Sequence, residues 1–133
     1  MEKHQQKLSL LQDLIALSLV DGNESFLEGN FIHTVATSLG ISESEVRQLK
    51  ENPIQYHPED KETDRIIQFY RLLLLMGIDQ NRTDAEILFC KETALKMGLN
   101  PIAVNNTIEK MLAAETGMLS PEEVIRLFQV QHN

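Results

Sequence analysis

The chain repeats itself at a fixed offset. Asp21-Gly22-Asn23-Glu24-Ser25-Phe26-Leu27-Glu28 and Asp79-Gln80-Asn81-Arg82-Thr83-Asp84-Ala85-Glu86 both read D-x-N-x-[S/T]-x-x-E, 58 positions apart. The same offset lays Phe31 over Phe89, Ala36 over Ala94, Leu39-Gly40-Ile41 over Met97-Gly98-Leu99 and Val46 over Val104. Upstream of the turns, Leu14, Ile15 and Leu17 fall over Leu72, Leu73 and Leu75. Self-similarity of this extent constrains the fold, because two copies are too few for a solenoid and must bury their apolar faces against each other. The repeats span about residues 8–50 and 66–112, with a linker at 51–60 marked by Asn52-Pro53 and His57-Pro58.

Each copy reads as three helices. Leu8, Leu11, Leu14, Ile15, Ala16, Leu17 and Leu19 recur at spacings of three and four, which predicts a first helix ending near Val20 or Asp21, with Gly22 as its C′ residue. Ser25 and Glu28 form a capping box for a second helix with the stripe Leu27, Phe31, Val35 and Leu39. Ser42 and Glu45 form another for a short third helix. A fourth, from about Lys61 to Gly77, is apolar almost all round and is expected to be the most buried. Thr83 and Glu86 cap a fifth, with the stripe Ile87, Cys90, Ala94 and Met97. Asn100-Pro101 opens a sixth, carrying Val104, Ile108, Met111 and Leu112. Ser120-Pro121-Glu122-Glu123 opens a seventh with Val124, Ile125, Leu127 and Phe128, which has no matching copy and is expected to lie as a lid over one edge. No segment alternates over strand length. The expected fold is all-α, a seven-helix bundle of two pseudo-two-fold-related three-helix repeats plus a C-terminal helix.

Composition narrows the functional classes. A net charge of −8 argues against nucleic acid, whose phosphates demand a basic face, and suits a cation or a basic partner. The lone Cys90 excludes an internal disulfide and reads as a small buried hydrophobe. The polar start Met1 to Lys7 runs straight into an amphipathic helix, so no leader and a cytoplasmic location are expected. The longest apolar run, Ile66 to Ile78, is broken by Gln68 and Arg71 and is too short to span a bilayer, so no membrane insertion is expected.

The repeated turns admit two chemistries. Asp21, Asn23 and Ser25 place oxygen ligands at alternate positions, as a calcium loop begins, but the sixth and twelfth positions are Phe26 and Ile32, which excludes an EF-hand. A looser site for a divalent cation of the Ca²⁺ or Mg²⁺ type would draw on Asp21, Glu24, Glu28, Asp79 and Glu86. Helix capping accounts for every position except the repeated Asp. His33 has Gly29, Asn30 and Thr37 at helical spacing, and neither a zinc motif nor a nucleophile elbow is present, so no catalytic set is expected. The chain reads first as a non-enzymatic accessory protein that uses these turns for a divalent cation, and alternatively as an interaction module for a protein partner in which the turns are only helix caps. Its seventh helix, and a groove lined by Met76, Met97, Met111 and Met118, are the candidate surfaces, although methionine at helical spacing more often fills a core.

Leu19-Val20-Asp21-Gly22, Glu28 and Leu39-Gly40-Ile41-Ser42, with the counterparts Gly77-Ile78-Asp79, Glu86 and Met97-Gly98-Leu99, resemble the TerB-like family. That family comprises tellurite-resistance TerB proteins and the N-terminal part of DjlA-type co-chaperones. The resemblance covers about residues 8–115; the second copy departs from it with Gln80 in place of Gly, and has Arg82 where the first has Glu24. It implies a compact seven-helix fold, acidic inter-helix turns with a suggested metal-ion role, membership of a tellurite or stress-response system, and no catalytic activity.

Overall fold

Local capping chemistry sets where most of the helices begin. The computed structural model describes residues 2–20, 22, 24–78 and 82–131. Among them, Ser25, Ser42, Thr83 and Ser120 each accept a hydrogen bond from the backbone N–H three residues on. The glutamate at that third position accepts one from the cap's own N–H in return. Each such box satisfies two donors that a helix start would otherwise leave orphaned, and each cap stabilises by about 1 kcal/mol. Asn100 caps differently, its side chain accepting from the N–H groups of Ile102 and Ala103. The described residues form seven helices and no strand: α1 (Glu2–Ser18), α2 (Phe26–Ser38), α3 (Glu43–Glu51), α4 (Glu62–Gly77), α5 (Asp84–Lys96), α6 (Pro101–Ala113) and α7 (Pro121–Val130).

Helix α1 packs against α2, α3, α4 and α5, while α4 packs against α1, α5 and α7. The core runs along these two helices: Leu11, Leu14 and Leu17 of α1 and Phe69, Leu72, Leu75 and Met76 of α4 are all sealed from solvent. At roughly 1.5–3 kcal/mol per fully buried large apolar side chain, this seam dominates the stability. The most buried helix is α1, with ten buried residues against eight in α4, contrary to the expectation from apolar content. Four of the ten are polar (Gln6, Ser9, Asp13 and Ser18), and an apolar count cannot register them.

Two further expectations are corrected by the packing. In α2 the buried face is Glu28, Ile32, Val35 and Ala36, while Leu27 of the expected stripe is 48% exposed. The capping box rotates Glu28 inward and carries the stripe round with it. Helix α7 is no lid: it packs against both α4 and α6, its Val124 and Phe128 are buried, and the Phe128 ring meets Phe69 edge-on at 6.0 Å. Met76, Met97 and Met111 lie in the core rather than in a groove.

The segment between α3 and α4 is strapped down onto α1. The Gln12 amide donates to the Ile54 carbonyl at 3.2 Å and accepts from the Ile54 N–H at 2.7 Å. Ser9 Oγ accepts from the His57 N–H at 2.8 Å, and the Lys96 ammonium sits 4.3 Å from the centre of the Tyr56 ring.

Candidate functional site

The acidic turns were the first candidate. Asp21, Asn23, Asp79, Gln80 and Asn81 lie outside the described residues, so the Asp21 and Asp79 ligand assignments have no structural account here. Gly22 has φ +93°, the left-handed conformation expected of a residue that ends a helix. Glu24 is braced on both sides, its carboxylate accepting from Ser18 Oγ at 3.1 Å and lying 3.5 Å from Lys50 Nζ at the end of α3. Gly29 makes room for it, since a Cβ there would sit 2.8 Å from Glu24 Oε1. No motif assigned Gly29 that role, because the contact depends on how the turn folds back over α2.

Glu28 is 4% exposed and its Oε1 accepts from the Ser25 N–H at 2.9 Å; Glu86 is 3% exposed and does the same for Thr83 at 3.0 Å. Both carboxylates therefore serve helix starts, where negative charge also favours the helix dipole. Arg82, which stands where the first turn has Glu24, donates from its guanidinium to the Gly117 carbonyl beyond the end of α6. Glu24 thus reaches the end of α3, and Arg82, with the opposite charge, reaches the residues beyond the end of α6. Among the described residues no group of three or more His, Cys, Asp or Glu side chains is arranged to hold a metal ion. Glu28→Ala is expected to lower the unfolding free energy by about 1 kcal/mol. Glu28→Gln, which keeps an acceptor for the Ser25 N–H, is expected to cost less than half of that; urea unfolding of the two variants checks it.

The described histidines and the cysteine each have separate partners. His4 Nε2 pairs with Glu45 at 2.6 Å, His57 Nδ1 lies 2.8 Å from the Gln55 carbonyl, and His33 Nδ1 lies 3.9 Å from Glu43. That last carboxylate comes from α3, which the spacing along α2 could not show. Cys90 is sealed in the core beside Met76, and burial pushes its thiol up to about 12, with Glu86 adding to the effect.

A second candidate emerges where α4 and α7 meet. Ile66, Ile67 and Tyr70 from one side and Pro121, Val124 and Ile125 from the other line a groove of about 240 Å³. The Tyr70 hydroxyl is held by the Leu119 carbonyl at 2.8 Å, so the ring presents its apolar body. Burial, and then the nearby carboxylates of Glu122 and Glu123, push the Tyr70 phenol above its ordinary value. The groove is thus an apolar trough with Glu122 and Glu123 near its Tyr70 wall, Glu123 being committed to the Ser120 cap and close to Lys110 and Arg126. Its α7 half was legible as an unmatched amphipathic helix; its α4 half was not, because Ile66 and Ile67 sit in a run that reads as uniformly core. No described helix is long and apolar enough to cross a membrane. No family model, curated protein or solved structure matches the chain.

Proposed function

We propose that the chain is a non-enzymatic, TerB-like protein-interaction module that receives an amphipathic helix with basic flanks in the groove between α4 and α7. The observation that carries this is an apolar trough of about 240 Å³ with the Glu122 carboxylate near its Tyr70 wall, on a chain of net charge −8. An amphipathic helix laid in such a trough anchors apolar side chains at helical spacing, and positive charge beside them speeds encounter. The commitment of Glu28 and Glu86 to helix caps supports a structural role for the acidic turns in this reading. The TerB-like kinship in this reading rests on the turn residues.

The duplicated architecture belongs to the same proposal. Helices α2 and α5 are each 13 residues long and begin 58 positions apart. The Gln68 amide donates to the carbonyl of Leu10 at 3.0 Å, joining two positions that the repeat places over each other. Residues lying beside a two-fold axis meet their own counterparts, so this contact supports the duplicated reading.

Fluorescence anisotropy with a labelled synthetic amphipathic Leu/Lys peptide of about five helical turns tests the interaction. Saturable binding is expected, weakened at least ~10-fold, or about 1.4 kcal/mol, by Ile67→Asp or Ile125→Asp, and lowered by salt. Binding that ignores both substitutions would place the partner elsewhere. Calorimetric titration with Ca²⁺ and Mg²⁺ is the second arm: saturable heat that disappears in Asp21→Asn would return the function to the turns.

A further inference from the structure

We propose that the crossing of α1 and α4 is a hydration site holding one water molecule between Asp13 and Gln68. Gln68 is 2% exposed, and its Nε2 donates to the Leu10 carbonyl. Only the amide nitrogen can make that bond, so the orientation is forced and Oε1 is left as an acceptor with no partner. Asp13 is 5% exposed; its Oδ1 lies 3.8 Å from Lys96 Nζ, and its Oδ2 likewise has no partner.

Both side chains line one cavity of about 10 Å³, together with Gln6, Ser9, Tyr56 and Met97 among others. With Asp13 ionised, these two acceptors cannot satisfy each other, and leaving each buried and unmade costs on the order of 1–3 kcal/mol. A donor between them relieves both. The cavity is about the size that admits a single water, and buried waters typically make about three hydrogen bonds. This water would donate to Asp13 Oδ2 and to Gln68 Oε1. The Ser9 hydroxyl, whose oxygen accepts from the His57 N–H, supplies a donor for the third bond. A calcium or magnesium ion asks for about six or more oxygen ligands, which a space of this size among these side chains does not provide. The water therefore joins α1 to α4, and reaches the strap through Ser9, whose oxygen accepts from the His57 N–H.

Oxygen-17 magnetic relaxation dispersion detects waters that stay longer than the protein takes to tumble. The wild-type protein is expected to show a long-lived contribution that Gln68→Met, which removes the acceptor and keeps the volume, loses. Identical dispersion in the two proteins would overturn the assignment. Thermal melts in sodium, potassium and ammonium chloride against choline chloride are expected to coincide. Stabilisation specific to one ion would overturn the water in favour of a cation. Should Gln68→Met fail to fold, a high-resolution crystal structure of the wild-type protein decides. Density within hydrogen-bond distance of both Asp13 Oδ2 and Gln68 Oε1 is expected, and an empty cavity or a direct Asp13–Gln68 contact would refute it.

Discussion

Phe128→Ala is expected to lower the unfolding free energy by about 3–5 kcal/mol, the range for deleting a buried aromatic ring. Phe128 is 2% exposed and packs edge-on against the fully buried Phe69 of α4. Truncation removes both the transfer energy of the ring and the aromatic pair, and it leaves a cavity beside the most apolar helix. The effect should also spread, because α7 has only 10 residues and a helix that short does not persist without its anchor. Urea unfolding measures the loss. A helix that merely covers an edge would lose under about 1 kcal/mol, as expected for Leu112→Ala, whose side chain is 43% exposed. A small effect at Phe128 would restore the lid reading and remove one wall of the proposed docking groove.

Asp13→Asn is expected to stabilise the protein at pH 8 and to have little effect at pH 4. Burial raises the Asp13 carboxyl from 3.8 to about 6, against the opposing pull of Lys96. Between those values the folded chain holds a proton that the unfolded chain has released, so stability falls as pH climbs from about 4 to about 6 and levels off above. A shift of roughly two units corresponds to about 3 kcal/mol. The asparagine removes that titration while keeping the shape, and the loss of the Lys96 ion pair, itself worth at most about 1 kcal/mol, is already contained in the net rise. A net gain on the order of 1–3 kcal/mol at pH 8 follows. Urea midpoints of both proteins at pH 4 and pH 8 check the sign; a variant less stable than wild type at pH 8 would mean that the charged form is the favoured one.

The residues behind these two expectations were unequally visible in the sequence. Phe128 stands in an amphipathic stripe behind a capping box, so its helix and inward face were legible; the helix it packs against was not. Asp13 falls among leucines on a helix whose apolar residues alone define the expected face, and a carboxylate there reads as solvated. Lys96, and Tyr56 of the strap that lines the same cavity, are brought to it only by the fold. The acidic turns show the reverse. Their repetition invited a ligand reading, and the structure gives Glu28 and Glu86 to backbone N–H groups three residues away.

The all-α class and the starts of α2, α3, α5 and α7 were determined by the sequence alone, because a capping box is complete within four consecutive residues and its hydrogen bonds form wherever the chain goes next. Only the tertiary structure decided which polar side chains are buried, that α7 belongs to the core and that an apolar trough opens beside it. Those outcomes depend on contacts between segments far apart in the chain, such as Gln68 with Leu10, Phe69 with Phe128 and Gln12 with Ile54. Periodicity within one helix says how its own residues are spaced; which of its faces meets a neighbour is settled when all the helices pack at once.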